Sequence, residues 1–202
     1  MKDKIKANFI TRIHKEIVEG LHNSEDFDLS VPEGEFFAAL KENMLCNYRL
    51  WHLEDDARME NVEDSFIAEL KRKIDKQNQM RNDFVEEMDV ALESILPQLS
   101  EEEKKLIPSN TETPGSAIDR MSIASLKIFH MAEEAARDDA SEEHIQKSSS
   151  RLNLIKIQLS DLMAAFDLLV SDLFAKEKQL KIYRQFKMYN DPEFNPSLYG
   201  KN

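Results

Sequence analysis

Two histidines in this chain stand in matching charged surroundings. A basic residue lies three positions before each one, and acids lie three and four positions after it: Arg49, His52, Asp55 and Asp56 in one segment, and Lys127, His130, Glu133 and Glu134 in the other. Residues three or four apart share one face of an α-helix. Each histidine face therefore predicts either a metal site or polar packing and hydrogen bonding to a ligand.

The metal interpretation depends on carboxylates as well as histidines. Di-metal sites in helical bundles take a Glu-x-x-His pair from two helices and a further carboxylate from each partner helix. Here the histidine comes first, and Asp83 and Asp161 are symmetric partner carboxylates. The candidate ligands are His52, Asp55, Asp83, His130, Glu133 and Asp161. Because the motif order is reversed, we expect no cofactor, with a divalent metal as the alternative.

A second group of polar residues interrupts an apolar seam. Asn78 and Arg81 stand where the seam of a long helix, which includes Ile74 and Val85, is otherwise apolar. A buried arginine is unfavourable unless it is paired. Arg81 is therefore expected either to pair with an acid such as Asp55 or Asp119, or to contact an anionic ligand.

The third feature is the segment Thr113-Pro-Gly-Ser116. Proline and glycine end one element there, and Ser116 with Asp119 three residues later predicts a capping box that begins the next helix. A helix N-terminus offers free N–H groups to an anion. Arg120 opposes the helix dipole, so an anion or a nearby carboxylate is expected beside it.

Together these features predict one polar cleft that runs inward from the Thr-Pro-Gly-Ser turn to the two histidines. The candidate ligand-binding residues are His52, Asp55, Arg58, Asn78, Arg81, Asn82, Thr113, Gly115, Ser116, Asp119, Arg120, Lys127 and His130. The catalytic residues are not identified by any motif in the chain.

Composition limits the classes of partner. The 202 residues suit one domain, and the charged fraction of 33% with only 4 glycines favours helices. A net charge of -12 argues against nucleic-acid binding. No apolar run approaches the roughly 18 residues of a membrane span. Cys46 is the only cysteine and no signal peptide is evident, so a cytoplasmic location is expected.

Apolar periodicity predicts the elements of this single domain, residues 1–202. They are an N-terminal helix at 4–22, a first hairpin at 33–96, a linker at 97–115, a second hairpin at 116–187 and a tail at 188–202. The last helix would be about 70 Å long. It is expected to overhang its neighbour and offer contacts for a homodimer.

The two hairpins align with each other. At a shift of 78 residues, Trp51 falls on Phe129, His52 on His130 and Asp83 on Asp161, with no gap across the turn. This indicates an internal repeat. The predicted fold is an all-α antiparallel bundle of two related helical hairpins plus an N-terminal helix.

Three sequence blocks carry a family resemblance. They are Leu50-Trp-His-Leu-Glu-Asp55, Asn78-Gln-Met-Arg-Asn-Asp83, and Glu112-Thr-Pro-Gly-Ser116 with Asp119-Arg-Met-Ser-Ile123. With them the chain resembles a bacterial domain-of-unknown-function family whose members are encoded near glycosyltransferases of surface-polysaccharide synthesis. The resemblance implies a role in glycan assembly, with glycosyltransferases as partners.

The resulting hypothesis is an accessory or ligand-binding protein of surface-polysaccharide biosynthesis. It would hold an anionic sugar or phosphate compound, nucleotide sugars included, in the polar cleft. The alternative is a metal-dependent phosphohydrolase or transferase that uses the histidine and carboxylate faces.

Overall fold

The computed structural model describes residues 5–24, 27, 30–184, 186 and 193–199. Its helices are α1 (Ala7–Asn23), α2 (Glu35–Asp56), α3 (Asp64–Glu93), α4 (Glu101–Leu106), α5 (Pro114–Ala135), α6 (Glu142–Phe174) and α7 (Pro196–Tyr199). Within these residues there is no β-strand, only an isolated bridge between Ser109 and Gln179. The prediction of an all-α helical bundle is confirmed.

The apolar stripes of the sequence face inward. In α1 the isoleucines spaced for one helical face, among them Ile10, Ile13 and Ile17, are buried. The helix packs mainly on α5 and also touches α2 and α6. In the described part of the chain, no helix combines the length and apolar character needed to cross a membrane.

The remaining long helices form two antiparallel pairs. α2 packs along α3, and α5 packs along α6. Because α5 also contacts α1, α2 and α3, it is the central helix of the bundle. Its fully buried Ile118 and Met121 belong to the same core as Phe36, Met88 and Phe166. Polar groups on the inner face of α5 are therefore shielded from water on several sides.

The start of α5 differs from the prediction. Thr113, and not Ser116, is the N-cap: its Oγ1 accepts a hydrogen bond from the Ser116 amide at 3.2 Å. Pro114 occupies the first turn, where its fixed φ suits a helix and its missing N–H is not needed. The helix consequently begins before Ser116, and the Ser116–Asp119 capping box does not form. Asp119 instead points its carboxylate into the bundle.

The end of α6 also differs. The helix stops at Phe174, well before residue 187, so its 33 residues span about 50 Å. Lys176 takes a left-handed φ of 60° although it is not glycine. Beyond it, the backbone N–H of Gln179 donates a hydrogen bond to Pro108 O at 3.0 Å. The overhang that was predicted to offer dimer contacts is accordingly shorter. Much of the predicted tail at 188–202 lies outside the described residues, including the side chains of Leu198 and Tyr199, and Phe194 is exposed.

Candidate functional site

The centre of the bundle holds an ion pair between α3 and α5. Arg81 Nε donates to Asp119 Oδ1 at 2.8 Å, and Arg81 Nη2 donates to Asp119 Oδ2 at 2.5 Å. Such two-point pairing matches the planar guanidinium to the carboxylate. The interruption of the apolar seam at Arg81 is thus explained by the acid Asp119, one of the two partners that the sequence suggested.

Two amides from α2 complete the surroundings of this carboxylate. Asn43 and Asn47 each donate from Nδ2 to Asp119 Oδ1, at 2.9 and 2.8 Å. Asn47 also lies 2.7 Å from Ser122 Oγ. Burial alone would raise the pKa of Asp119, but the hydrogen bonds and charge of Arg81, with the two amides, hold it below its usual value. The carboxylate therefore stays ionised inside the bundle.

Asn43, Asn47 and Ser122 were not predicted from the sequence. A usable signal was present, because the two asparagines are spaced i, i+4 among apolar residues of one helix. Buried amides need partners. That spacing indicates a polar group on a facing helix, in this structure Asp119.

An open pocket of about 310 Å³ adjoins the ion pair, between α2, α3 and α5. Its walls combine an indole ring, aliphatic side chains, amides and charged groups: Asn47, Leu50, Trp51, Glu54, Asp55, Arg58, Asn78, Arg81, Ile123 and Leu126. Four of the predicted ligand-binding residues, Asp55, Arg58, Asn78 and Arg81, line this one pocket. Arg58 is at the exposed rim, where it also pairs with Asp55 at 3.6 Å.

The Thr113–Ser116 turn lies apart from this pocket. The Gly115 amide donates to Asp89 Oδ1 at 2.7 Å, so a carboxylate of the chain itself occupies the position that an anion was expected to take. A Cβ at position 115 would lie 2.4 Å from Val85 O, which explains the glycine. Thr113, Gly115 and Ser116 are therefore not among the residues that line the pocket.

Three further candidates are placed away from the pocket as well. Arg120 is on the outer side of α5 and pairs with Glu112 at 2.5 Å, the nearby carboxylate expected from its position against the helix dipole. Lys127 is exposed and Asn82 is half-buried, and neither lines the pocket. The residues that were predicted to form one cleft thus lie in separate places in the fold.

The two matched histidines do approach each other, and a third joins them. The ring centroids of His52 and His130 are 5.9 Å apart, and those of His22 lie 5.4 Å and 5.0 Å from them. One ring nitrogen from each histidine lies within 4.8 Å of one from each of the others. His22, at the end of α1, was not predicted, because it has no counterpart in the repeat and is distant in sequence.

The carboxylates proposed alongside these histidines are elsewhere. Asp55, Asp83 and Asp161 are exposed and do not belong to the histidine group, which is the only such group of three or more potential ligands in the described residues. Glu133 alone keeps its expected neighbour, with Oε2 at 3.0 Å from His130 Nδ1. On its other side His130 stacks against Trp51, at 4.7 Å between centroids.

The fold and its interior define a class of protein: an all-α bundle of two packed hairpins around a charged network, with a pocket beside it. Residues 38–182 match the family described as Protein of unknown function (DUF4254), and the chain belongs to that family. The match begins within α2 and ends beyond α6, so it includes Asp119, the pocket, His52 and His130, whereas α1 with His22 precedes it. No curated protein and no solved structure matches the chain.

Proposed function

We propose that this protein binds a small anionic sugar derivative in the pocket between α2, α3 and α5. The observation that carries the proposal is the composition of the walls. Trp51 offers an indole, Asn47 and Asn78 offer amides, and Arg58 and Arg81 offer positive charge around one volume. A few polar groups set in a mainly apolar wall are typical of small-molecule sites.

Arg81 is suited to contact an anionic group. Two of its nitrogens hold Asp119, which fixes the guanidinium in place, while Nη1 makes no hydrogen bond to another described residue. Its side chain retains 27% of its exposure. A positioned, partly desolvated guanidinium binds a phosphate or carboxylate more strongly than a mobile surface arginine does.

The remaining walls suit a sugar ring. Aromatic faces pack against the apolar faces of such rings, and Glu54 and Asp55 are carboxylates that accept hydrogen bonds from hydroxyl groups. The volume of about 310 Å³ is at the lower end of ligand sites. It therefore favours one phosphorylated or acidic sugar over a complete nucleotide sugar, whose nucleotide portion would extend beyond the rim at Arg58.

The wider role follows from the family resemblance. We propose that the bound compound belongs to surface-polysaccharide assembly in the cytoplasm, and that the protein acts there as an accessory to glycosyltransferases. This part is supported by the sequence blocks and not by the pocket. The alternative of a phosphohydrolase or transferase has less support, because the carboxylates Asp55, Asp83 and Asp161 do not gather around the histidines.

Thermal unfolding with added ligands tests the proposal. The compounds to compare are hexose phosphates, hexuronates, free hexoses, nucleotide sugars and inorganic phosphate. At a hundred times its dissociation constant, a ligand adds about 2.7 kcal/mol to native stability. We expect stabilisation by a phosphorylated or acidic sugar. It should weaken in Arg58→Gln and persist in Arg72→Gln, an exposed arginine outside the pocket. Equal effects of both variants, or no stabilisation by any anionic sugar, would contradict the proposal.

A further inference from the structure

The three histidines His22, His52 and His130 have more in common than their proximity. Nε2 of each is buried and has no hydrogen-bond partner among the described residues. Buried ring nitrogens are normally satisfied, and each exception calls for an explanation such as an ion. Three exceptions in one cluster, with ring nitrogens within 4.8 Å of one another, call for a shared explanation.

The second nitrogen of two of these rings indicates which form they take. His22 Nδ1 lies 2.7 Å from Val18 O. Because a carbonyl oxygen only accepts hydrogen bonds, His22 carries its proton on Nδ1, which leaves a lone pair on Nε2. His130 Nδ1 contacts Glu133 Oε2 at 3.0 Å, which favours the same form.

This arrangement is the one used by metal-binding histidines. Their second nitrogen usually donates to a backbone carbonyl or a carboxylate, which fixes the ring and increases the basicity of the coordinating nitrogen. His22 has the carbonyl and His130 has the carboxylate. With the proton on Nδ1 in both His22 and His130, neither Nε2 can donate a hydrogen bond to the other. Two lone pairs in one cluster are therefore left without a proton or a cation to bind.

We infer that His22, His52 and His130 form a binding site for one divalent transition-metal ion, with Zn²⁺ as the best-matched ion. The inference does not depend on the proposed sugar pocket.

The ligand type limits the choice of ion to transition metals. Imidazole nitrogens suit zinc, copper, nickel and cobalt, whereas magnesium and calcium prefer oxygen ligands. Zinc–nitrogen bonds of about 2.0–2.1 Å place tetrahedral ligands about 3.4 Å apart. The ring nitrogens, which lie within 4.8 Å of one another, would have to approach by at most about 1.4 Å to reach that spacing. Three protein ligands also leave a fourth coordination position for water or another molecule.

The origin of the ligands gives the site a structural consequence. His52 comes from α2 and His130 from α5, but His22 is at the end of α1, outside the residues that match the family. A metal held by all three would fasten the last turn of α1 to both hairpins. Metal binding should therefore protect the α1 backbone amides from hydrogen exchange as well as raise the melting temperature.

The test uses the full chain, stripped with a chelator and then titrated with ZnCl₂ or MgCl₂. We expect about one Zn²⁺ per chain, no comparable binding of Mg²⁺, and absorption bands of nitrogen-coordinated Co²⁺ in the visible range after cobalt loading. Loss of a carboxylate in the outer shell typically weakens metal affinity about 10–100-fold. Glu133→Gln should show a loss in that range, and His22→Gln, His52→Gln and His130→Gln should each show a larger one.

Two substitutions are matched controls. Glu134 and His144 pair with each other at 2.8 Å and belong to no metal group among the described residues, so Glu134→Gln and His144→Gln should keep the affinity of the parent chain. Circular dichroism establishes that each variant is folded. The inference is overturned if the folded parent chain binds no stoichiometric Zn²⁺, or if the controls lose as much affinity as the cluster variants. The wild-type titration alone decides the matter should a histidine variant fail to fold.

Discussion

Arg81 and Asp119 form a two-point ion pair that joins the first hairpin to the central helix, with Asp119 6% exposed. Removing one partner of a buried pair leaves an uncompensated charge, which typically costs about 3–5 kcal/mol. Arg81 is partly exposed, so we expect Arg81→Gln to lower the free energy of unfolding by about 2–3 kcal/mol. Urea denaturation measures this change in the free energy of unfolding. The surface variant Arg72→Gln should change it by less than about 0.5 kcal/mol.

The same network predicts strong coupling. Asn47 and Arg81 both donate to Asp119 Oδ1, so the effects of Asn47→Ala and Arg81→Gln should not add. Residues in one hydrogen-bond network show interaction energies of about 0.5–3 kcal/mol in double-mutant cycles. Additive losses in urea denaturation would mean that the two contacts act independently.

Gly115→Ala tests the close approach of α5 to α3. The added Cβ would lie 2.4 Å from Val85 O and 2.9 Å from Asp89 Oδ1, and the backbone atom cannot move aside as a side chain can. We expect a loss of about 1–3 kcal/mol, the usual range for overpacking, despite the better helix propensity of alanine. Thermal denaturation measures the change. Ser116→Ala, one residue further along, should have the smaller effect.

Asp89 gives the stability a dependence on pH. Burial raises its pKa to about 6, although hydrogen bonds from Thr113 and Gly115 oppose the rise. The folded state therefore binds this proton more tightly than the unfolded chain does, so its contribution is present below about pH 4 and is lost as the pH rises through 6. Relative to Asp89→Asn, the parent chain should gain about 2 kcal/mol between pH 7 and pH 4. Parallel stability curves for the two proteins would contradict this.

His14 has the opposite dependence. Complete burial lowers its pKa to about 3, against a smaller opposing effect of Asp119. The unfolded chain takes up a proton near pH 6.5 while the folded protein does not, so stability is lost as the pH falls below that value. Both ring nitrogens lack partners among the described residues. His14→Leu should therefore be at least as stable at pH 7, and it should lose about 3 kcal/mol less than the parent chain on going to pH 4.5.

Much of the fold could be predicted because it depends on local patterns. The apolar spacing in α1 and in the two hairpins directly reflects the faces that pack together. The residues at which the helices begin and end were less predictable. Pro114 starts α5 earlier than the Ser116–Asp119 pair suggested, and Lys176 ends α6 in a conformation that sequence rules reserve mainly for glycine.

The site was predicted only where residues recur or break a pattern. Arg81 was singled out because it interrupts an apolar seam, and His52 and His130 because they match across the repeat. His22 breaks no pattern within its own helix. Its position beside His52 and His130 depends on how α1 packs on the hairpins, which is a property of the tertiary structure alone.

The pairing of Gln179 with the segment that precedes α5 has a consequence for how the chain can vary. Ser109 and Gln179 lie side by side, and the Gln179 side chain donates to Lys104 O and Ile107 O. The two ends of the second hairpin therefore lie close together, although α5 itself packs at the centre of the bundle. The far turn of the hairpin at residues 136–141 can be lengthened or shortened by whole helical turns without changing the gap that its ends must bridge. Length variation among related chains should accordingly concentrate at that turn.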